Sequence, residues 1–540
     1  GDHRDLHYPL RRQRQMCIRD SVSYLTWNKN RAEKVVRNYN NLWIVAMGSL
    51  ETFKMFVNGK WVDSENGSTF ESINPSIGKS WALIPEATVN DVNNAVEAAY
   101  KAFNEGEWSK ITPTQRGKYL RKLGDLLAEK SEELGKIESI DTGKLLKETR
   151  WQAKYIAEYF HYYAGLADKI EGSTLPIDKP DMYAFNVREP LGVVAAIVPW
   201  NSQLFLVAVK IGPALAAGNT VVLKASEHAS AAMLEFGKVI EEVGFPPGVV
   251  NIISGHGDPC GKTLTTHPLV HRISFTGGPA TARHVIRNSA ENFAEVSLEL
   301  GGKSPFIVFE DADIESAVNG SIAGIFGASG QSCVAGSRLY LQESIADEFL
   351  DRMTSLAANI KLGDPLLDET QMGPLATLGQ IKLIESEISN AKNQGAKILH
   401  GGNKPSNMNE GWFFEPTIVD CSDQKLKIVD TELFGPVLSV LRFKTEEEVI
   451  QLANDTKYGL AAGVFTKNSA RSLRITKALR AGIVWVNTYR VVSPIAPFGG
   501  YKDSGYGRES GMQAIHDYTR IKTVWINTSD EPMSNPFQMR

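Results

Sequence analysis

One apolar stretch, "LGVVAAIVPW" at residues 191–200, decides the fold. It is shorter than the roughly 18 residues that a membrane span needs, and its β-branched residues between glycine and proline indicate a buried strand. Three similar runs follow: "NTVVLKAS" (219–226), "VVNIIS" (249–254) and "HRISFTG" (271–277). A turn and then a helical pattern come after each run. This repeated order predicts a parallel sheet covered by helices.

The same order resumes after residue 300, in "SPFIVFEDA", "SRLYLQES" and "GIVWVN". Because a chain of 540 residues exceeds what one hydrophobic core usually supports, we predict an α/β fold with a second α/β unit. Residues 173–190 and 516–529 interrupt this pattern with alternating, strand-like side chains, and each segment lacks a pairing partner within its own domain. Strands of this kind often pair between subunits, so they predict an oligomer.

The composition narrows the class of protein. A net charge of -4 and a pI near 6.3 give no basic surplus for nucleic acid, and no apolar run is long enough for a membrane span. The four cysteines form no CxxC pair and no Cys/His cluster. We therefore expect no metal site and no disulfide framework, and we place the protein in the cytoplasm, a reducing compartment.

The first 46 residues are arginine-rich and show no sustained hydrophobic period. We interpret them as a disordered or non-native extension ahead of Met47. The alternative is a genuine targeting segment, which would make the location mitochondrial, although its acidic residues argue against that.

Polar side chains follow several predicted strands, and open parallel sheets bind ligands beyond the carboxyl ends of their strands. Asn201 either caps the next helix or points an amide N–H into a cleft, where a developing oxyanion would use it. Lys224 and Glu227 form either a solvated charge pair or a site for adenosine ribose hydroxyls. The second alternative favours NAD over NADP, because a carboxylate repels a 2′-phosphate.

Two glycine-rich turns, "SGHGDPCG" (254–261) and "FTGGPATAR" (275–283), suit a pyrophosphate at a helix N-terminus. Neither matches GxGxxG, and each is a weak signal by itself. Glu299, in "SLELGGKSP" (297–305), is either a strand carboxylate with a structural partner or a general base whose pKa is raised by partial burial.

Cys333 lies in "GASGQSCVAGSRL" (327–339), where small neighbours leave a thiol open to close approach. It either fills a gap in a glycine-rich turn or acts as a nucleophile. No histidine lies in a nearby segment, so a Cys/His hydrolase has no support. A thiol, a carboxylate, an amide and a dinucleotide-binding sheet together suit a thiol that adds to a carbonyl and passes a hydride to nicotinamide.

The sequence resembles the aldehyde dehydrogenase superfamily over about residues 53–528. The resemblance is carried, in order, by "PWN", "AGNTVVLKASE", "SFTGG", "LELGGKSP", "GQSCVAGSR", "ELFGPV", "YGLAAGVFT" and "PFGGYKDSGYGRE". The spacing also matches, with 34 positions from Glu299 to Cys333 and 132 from Asn201 to Cys333. So many motifs in one order make the match highly specific.

The resemblance implies a Rossmann-like NAD-binding domain, an α/β catalytic domain and a small β bridging element. We expect the NAD-binding domain at residues 53–172 and 191–300 and the catalytic domain at 301–511. The bridging and oligomerisation strands then lie at 173–190 and 512–529. Members of the family are usually dimers or tetramers, so the resemblance also implies a homodimer or homotetramer. It further implies a small-molecule aldehyde substrate, which is oxidised with NAD to the carboxylic acid.

Roles for individual residues also follow from the resemblance. Cys333 would be the nucleophile, Asn201 with the Cys333 backbone N–H would hold the oxyanion, and Glu299 would activate the water that hydrolyses a thioester. Lys210 matches a buried family lysine near the active site. The residues implied for NAD binding are Ile197, Pro199, Trp200, Lys224, Glu227, Gly257, Gly277, Gly278, Glu432 and Phe434.

This sequence departs from the family pattern at four positions. Gly278 stands where many members have Ser, and Ala282 where many have Gly. Ser202 and Val209 stand where enzymes for betaine aldehyde or small aliphatic aldehydes often have rings. Because lost rings cannot hold a trimethylammonium group by cation–π attraction, we expect a wider or more polar tunnel and not betaine aldehyde as the substrate.

Two other functions fit the same fold. A CoA-acylating semialdehyde dehydrogenase would pass the acyl group to CoA, but Glu299 argues against it, because hydrolytic members need a base for water. A non-catalytic protein would be expected to lack Cys333, Glu299 or Asn201, and all three are present. Ester hydrolysis by the same thiol remains an alternative or side activity.

Overall fold

Two large sheets organise the chain in the computed structural model, which describes residues 50–533 and 535–538. The N-terminal extension predicted at residues 1–46 lies outside the described residues. The described part from Thr52 onward belongs to one compact unit. It is mixed α/β with parallel sheets, which confirms the predicted fold class.

The strands and helices alternate along most of the described chain. The strands are β1 (Glu51–Thr52), β2 (Met55–Val57), β3 (Lys60–Val62), β4 (Thr69–Asn74), β5 (Lys79–Pro85), β6 (Thr174–Leu175), β7 (Met182–Pro190), β8 (Val193–Ile197), β9 (Thr220–Lys224), β10 (Val250–Ile253), β11 (Val270–Gly277), β12 (Glu295–Leu300), β13 (Pro305–Val308), β14 (Arg338–Gln342), β15 (Lys397–His400), β16 (Thr417–Asp420), β17 (Val437–Phe443), β18 (Ala461–Phe465), β19 (Ile483–Val486), β20 (Gly505–Tyr506) and β21 (Thr519–Asn527).

The α-helices are α1 (Val89–Asn104), α2 (Pro113–Glu129), α3 (Ser131–Thr142), α4 (Leu146–Leu166), α5 (Gln203–Ala217), α6 (Ala231–Val243), α7 (Lys262–Thr266), α8 (Pro279–Asn288), α9 (Ile314–Phe326), α10 (Ala346–Ala358), α11 (Leu378–Asn393), α12 (Lys427–Asp430), α13 (Glu446–Asn454), α14 (Ser469–Ala478) and α15 (Gly511–Asp517).

The first sheet has eight strands in the order β20-β12-β11-β8-β9-β10-β2-β3. The five from β12 to β10 are parallel to one another, and the outer strands run antiparallel. The first four residues of β8 and all of β9 and β10 are buried because helices cover both faces. Their carboxyl ends therefore meet at one edge, where Ile197 pairs with Lys224.

The second sheet has seven strands in the order β15-β16-β17-β14-β13-β18-β19. All of its pairings are parallel except β15 with β16. The two-residue strand β20, within the segment expected to be catalytic, instead joins the edge of the first sheet, with Gly505 opposite Glu299.

The two segments expected to lack partners within their own domains pair with each other. β21 runs antiparallel to β7 over nine residue pairs, from Thr519 opposite Pro190 to Asn527 opposite Met182. A pairing across more than 300 residues leaves no local signal, which is why the sequence shows no partner for either segment within its own domain. Residues 511–517 are helical, so the strand begins only at Thr519.

Local sequence signals explain several helices. Thr88 caps α1 with a reciprocal capping box, in which its hydroxyl accepts from the Asp91 N–H and the Asp91 carboxylate accepts from the Thr88 N–H. Helix α5 is buried along most of its length, because it packs between the first sheet and α4. Within the described part of the chain, no helix combines the length and apolar character needed to cross a membrane.

Candidate active site

A cavity of about 1050 Å³ opens at the carboxyl edge of the first sheet. It brings together residues from the ends of β8, β11 and β12, from the turn after α9, and from the loop after β19. The predicted site residues that line it are Pro199, Trp200, Asn201, Gly277, Gly278, Glu299, Cys333, Glu432 and Phe434.

Cys333 is positioned by a tight turn after α9. Ala328 and Ser329 both have φ of 54°, a left-handed conformation that only small or otherwise held residues adopt readily. A Cβ atom on Gly302 would lie 2.7 Å from the Cys333 carbonyl oxygen, so the nearby strand end must be glycine there. The thiol packs beside Val334 and Trp485 and faces the cavity.

The environment of Cys333 holds its thiol in the protonated form. Burial, followed by the negative charges of Glu432 and Glu299, raises the pKa of the thiol to about 12, while the positive charge of Arg490 opposes that rise. A thiolate is the reactive form of cysteine. The thiol must therefore lose its proton as it reacts, and the cavity supplies carboxylates that can accept it.

Asn201 follows β8 and turns its amide toward the Cys333 segment. Its Nδ2 donates a hydrogen bond of 3.0 Å to the carbonyl oxygen of Gln331, two residues before the thiol. The alternative in which Asn201 caps α5 is wrong, because that helix begins after Ser202 with no side-chain cap. An amide nitrogen carries two hydrogens, so one N–H remains for an oxyanion beside Cys333.

Glu299 occupies a buried position near the end of β12. Both of its carboxylate oxygens are buried and form no hydrogen bond with any described residue. Burial, and then the negative charge of Glu509, raises the pKa of Glu299, while Lys210 and Arg508 oppose that rise. The described residues give this carboxylate no structural partner, and it faces the cavity that contains Cys333.

Lys210 does not line the cavity, but its side chain contacts Glu509, which does. The two side chains form a buried ion pair, and Lys210 also donates to the Ser274 hydroxyl at 3.3 Å. Glu509 lines the cavity and was missed by the sequence analysis. The only signal for it was a carboxylate in the quoted motif "PFGGYKDSGYGRE".

One part of the cavity wall, which carries two rings and a carboxylate, suits a nicotinamide riboside. Trp200 and Phe434 form an edge-to-face ring pair with centroids 5.4 Å apart. Glu432 accepts a hydrogen bond of 2.9 Å from the Gly302 N–H and packs against Gly301, and burial raises its pKa to about 7.

The hydroxyl of Thr276 adds a further polar group to that wall. It is buried, faces the cavity and has no hydrogen-bond partner among the described residues. A polar cofactor with ribose hydroxyls fits this set of groups.

The other predicted cofactor residues lie at the neighbouring strand ends and do not line this cavity. Lys224 is 4.0 Å from Glu227 and donates to the Ala225 carbonyl oxygen. Ile197 pairs with Lys224 across β8 and β9. Gly257 is exposed in the turn that leads toward α7, and Gly261 of the same turn approaches the Lys224 side chain.

Another part of the cavity lining contains groups that the sequence did not identify. Helix α4 supplies Trp151 and Tyr155, which stack with centroids 4.9 Å apart, and Tyr159 stands edge-on to Tyr155. The cavity therefore has aromatic walls despite Ser202 and Val209. Trp151, Tyr155 and Tyr159 are spaced four residues apart, which is also typical of a helix face that packs on a core. The sequence therefore could not distinguish a cavity wall from an ordinary core face.

The loop after β19 completes this part of the cavity lining. It contributes Arg490, Val491, Val492 and Ser493 to the cavity lining. The sequence alone assigned none of these four residues a role.

Known proteins match this architecture over most of the chain. A profile described as the aldehyde dehydrogenase family matches residues 61–524. A protein of Acinetobacter baylyi named (Z)-2-((N-methylformamido)methylene)-5-hydroxybutyrolactone dehydrogenase is 58% identical over 91% of this chain and 100% of its own length.

Two solved structures show the same agreement. An aldehyde dehydrogenase from Bacillus cereus in complex with NAD+ is 41% identical, with a TM-score of 0.87 over 89% of this chain and 97% of that one. A betaine aldehyde dehydrogenase from Staphylococcus aureus in complex with NAD+ is 40% identical, with a TM-score of 0.88 over 90% and 96%.

These matches confirm the resemblance seen in the sequence, the assignment to an oxidoreductase and the expectation of NAD as cofactor. The match extends over nearly all of the described residues. It includes the segment that carries Cys333 and the two large sheets except β2 and the start of β3. The chain belongs to the aldehyde dehydrogenase family.

Proposed function

We propose that the protein oxidises an aldehyde to its carboxylic acid with NAD, through a thioester on Cys333 that water hydrolyses. The observation that carries this proposal is the presence of Cys333, Asn201 and Glu299 on one cavity at the sheet edge. The cofactor would be held by Trp200, Phe434 and Glu432 on one side of that cavity. When bound, NAD accepts the hydride that the substrate carbon loses.

The first chemical step forms a bond between the Cys333 sulfur and the carbonyl carbon. The thiol proton passes to a carboxylate or water in the cavity, because a group whose pKa is about 12 cannot be ionised in advance. Negative charge develops on the former carbonyl oxygen. The free N–H of Asn201 and the Cys333 backbone N–H stabilise that charge, and one such donor is worth about 3–4 kcal/mol.

The second step releases the acid. Once the carbon has lost its hydride, the acyl group is bound to sulfur as a thioester. Glu299 removes a proton from water, which attacks the thioester carbon. The carbon–sulfur bond then breaks, the acid is released, and the leaving sulfur takes up a proton, which regenerates the Cys333 thiol. The raised pKa of Glu299 suits a base that must also release that proton.

The experiment that tests this function measures NADH formation without CoA over a panel of aldehydes. We expect NADH from the wild type and none from Cys333→Ala. NADH that appears only after CoA is added would instead support the CoA-acylating alternative. Ester hydrolysis without any aldehyde oxidation would support a hydrolase.

We also propose that two or four copies associate through the sheet formed by β7 and β21. Four large apolar side chains stand exposed on this ribbon, Tyr183, Ile521, Trp525 and Ile526, and exposed apolar surface of this kind is typical of an interface. Sedimentation velocity tests the assembly: Trp525→Glu should shift the wild-type oligomer to a smaller species. A wild type that sediments as a monomer would contradict it.

We keep the cytoplasm as the proposed compartment. Among the described residues, Cys260, Cys333 and Cys421 are unpaired thiols. A reducing compartment preserves such thiols. Fractionation of cells that produce the protein should place its NADH-forming activity in the cytosolic fraction; activity confined to an organelle would contradict this.

A further inference from the structure

Arg490 stands out among the cavity residues because its loop is rigidly held. Tyr489 donates a hydrogen bond of 2.9 Å to the carbonyl oxygen of Val334, the residue after the thiol. The Trp485 indole donates to the Val491 carbonyl oxygen at 2.9 Å, and the Tyr155 hydroxyl donates to that of Val492 at 3.0 Å. These bonds place the Arg490 backbone beside the Cys333 segment before any substrate binds.

The guanidinium of Arg490 forms one hydrogen bond to the described residues, so most of its N–H donors are unused. Nη1 donates to the Ala323 carbonyl oxygen at 3.1 Å, which uses one of its five N–H groups. No carboxylate oxygen of the described residues lies within 4.0 Å of it. Glu148, which lies in the first turn of α4 and lines the same cavity, accepts from the Ala328 N–H at 3.2 Å. An unpaired arginine on a cavity wall is suited to bind an anionic oxygen group.

The other cation of this cavity is engaged differently. Lys147 also lines the cavity, but its ammonium donates to the carbonyl oxygens of Thr370, at 2.7 Å, and Asp368, at 3.4 Å. Its charge is therefore turned toward the backbone. Lys147 and Arg490 thus provide two cavity cations for comparison: Lys147 uses two of its three N–H groups on backbone carbonyls, whereas Arg490 uses one of its five.

The backbone at Arg490 is also unusual. Its φ of 61° lies in the left-handed region, which glycine and asparagine adopt far more readily than arginine. Strained residues of this kind persist where the surrounding structure holds them, and they cluster at functional sites. An arginine at this position therefore calls for a role beyond filling the loop.

We infer that Arg490 selects the substrate by binding the carboxylate of an aldehyde that carries an acid group at its far end. This inference rests on the proposed function and names its substrate class, the oxo-carboxylic acids. The relative from Acinetobacter baylyi is named for a hydroxybutyrolactone. A hydroxylactone is the cyclic form of such an aldehyde, in which the carboxylate is part of a ring ester. The same charge disfavours a trimethylammonium aldehyde, although aromatic rings line the cavity.

A purely structural role is the competing explanation. The Ala323 carbonyl lies in the last turn of α9, and arginine often binds the free carbonyls at the C-terminus of a helix. In that case, loss of Arg490 would affect all aldehydes equally. A substrate-binding role instead predicts an effect confined to anionic aldehydes.

The test compares kcat and KM for succinic semialdehyde, butyraldehyde and betaine aldehyde with saturating NAD. Arg490→Gln should lower kcat/KM for succinic semialdehyde about tenfold or more, through KM, because a charge-assisted hydrogen bond is lost. Because the Arg490 charge also lowers the pKa of Cys333, the readout is a ratio, kcat/KM for succinic semialdehyde divided by kcat/KM for butyraldehyde, which should fall about tenfold. Remaining butyraldehyde oxidation shows that the variant is folded. Arg490→Lys should recover part of the preference.

Lys147→Gln is the matched control, because it removes from the same cavity a charge that is already hydrogen-bonded to two backbone carbonyl oxygens. Its preference for succinic semialdehyde over butyraldehyde should stay within about twofold of wild type. The inference is overturned if Arg490→Gln affects both aldehydes alike, if neither variant changes the preference, or if Lys147→Gln lowers it as much. A wild type that oxidises no aldehyde with NAD would refute the proposed function itself.

Discussion

Asn201→Ala isolates the contribution of the oxyanion donor. The substitution removes the amide that can reach an oxyanion beside Cys333, so the step that forms the first NADH should slow by about 10²–10³-fold, or 2.7–4 kcal/mol. It also removes the hydrogen bond to the Gln331 carbonyl. That loss should lower the free energy of unfolding by only about 1 kcal/mol, because the Asn201 side chain sits beside an open cavity.

The assay is stopped-flow NADH formation in a single turnover with enzyme in excess, together with urea unfolding. Ser202→Ala is the matched control: Ser202 also lines the cavity, and its hydroxyl accepts from Lys144, so its loss should change the rate by less than about threefold. A rate within about fivefold of wild type for folded Asn201→Ala would refute the reasoning. The reasoning would also be refuted if the free energy of unfolding of Asn201→Ala fell so far that unfolding alone explained its inactivity.

Three further predictions follow from the buried charges. Lys210→Met leaves Glu509 buried without its partner, so the free energy of unfolding should fall by about 3–5 kcal/mol in urea titrations; an unchanged midpoint would contradict this. Alkylation of Cys333 by iodoacetamide should rise about tenfold per pH unit between pH 7 and 10, since its pKa is raised. Glu432→Gln should speed that alkylation, because it removes a negative charge near the thiol. An alkylation rate that no longer increases above pH 7 would exclude the raised pKa of Cys333. Burial lowers the pKa of Lys303 from 10.5 to about 8, so the unfolded chain binds more protons between these values. The stability should therefore rise by about 3 kcal/mol as the pH increases from 8 to 10.5, and Lys303→Met should abolish that rise.

Local patterns predicted the part of the site that lies at strand ends. Each β-branched run such as residues 191–200 identifies a buried strand, and parallel strands bring their carboxyl ends to one edge. That reasoning placed Asn201, Gly277 and Glu299 together without any knowledge of tertiary contacts. The small neighbours of Cys333 made it a candidate nucleophile, and the family resemblance then favoured that role. The role of Glu432 depended on the resemblance alone, since it does not lie at a strand end.

The remaining parts depend on contacts that no local pattern encodes. Lys210 and Glu509 are 299 positions apart, and their pairing follows from how α5 packs on the loop before α15. The pairing of β7 with β21 is equally distant. Arg490 has its role only because its loop is held against the Cys333 segment. A charged residue in a polar loop otherwise looks like any solvated side chain.

The central claim is that Cys333 carries a thioester which Glu299 helps to hydrolyse. Its most direct test is mass spectrometry of the Cys333 peptide from Glu299→Gln after mixing with NAD and an aldehyde, with quenching in acid. We predict one equivalent of NADH per subunit and a mass increase on Cys333 equal to the acyl group, absent from the wild type at completion. NADH formation with no acyl group on that peptide would contradict the account.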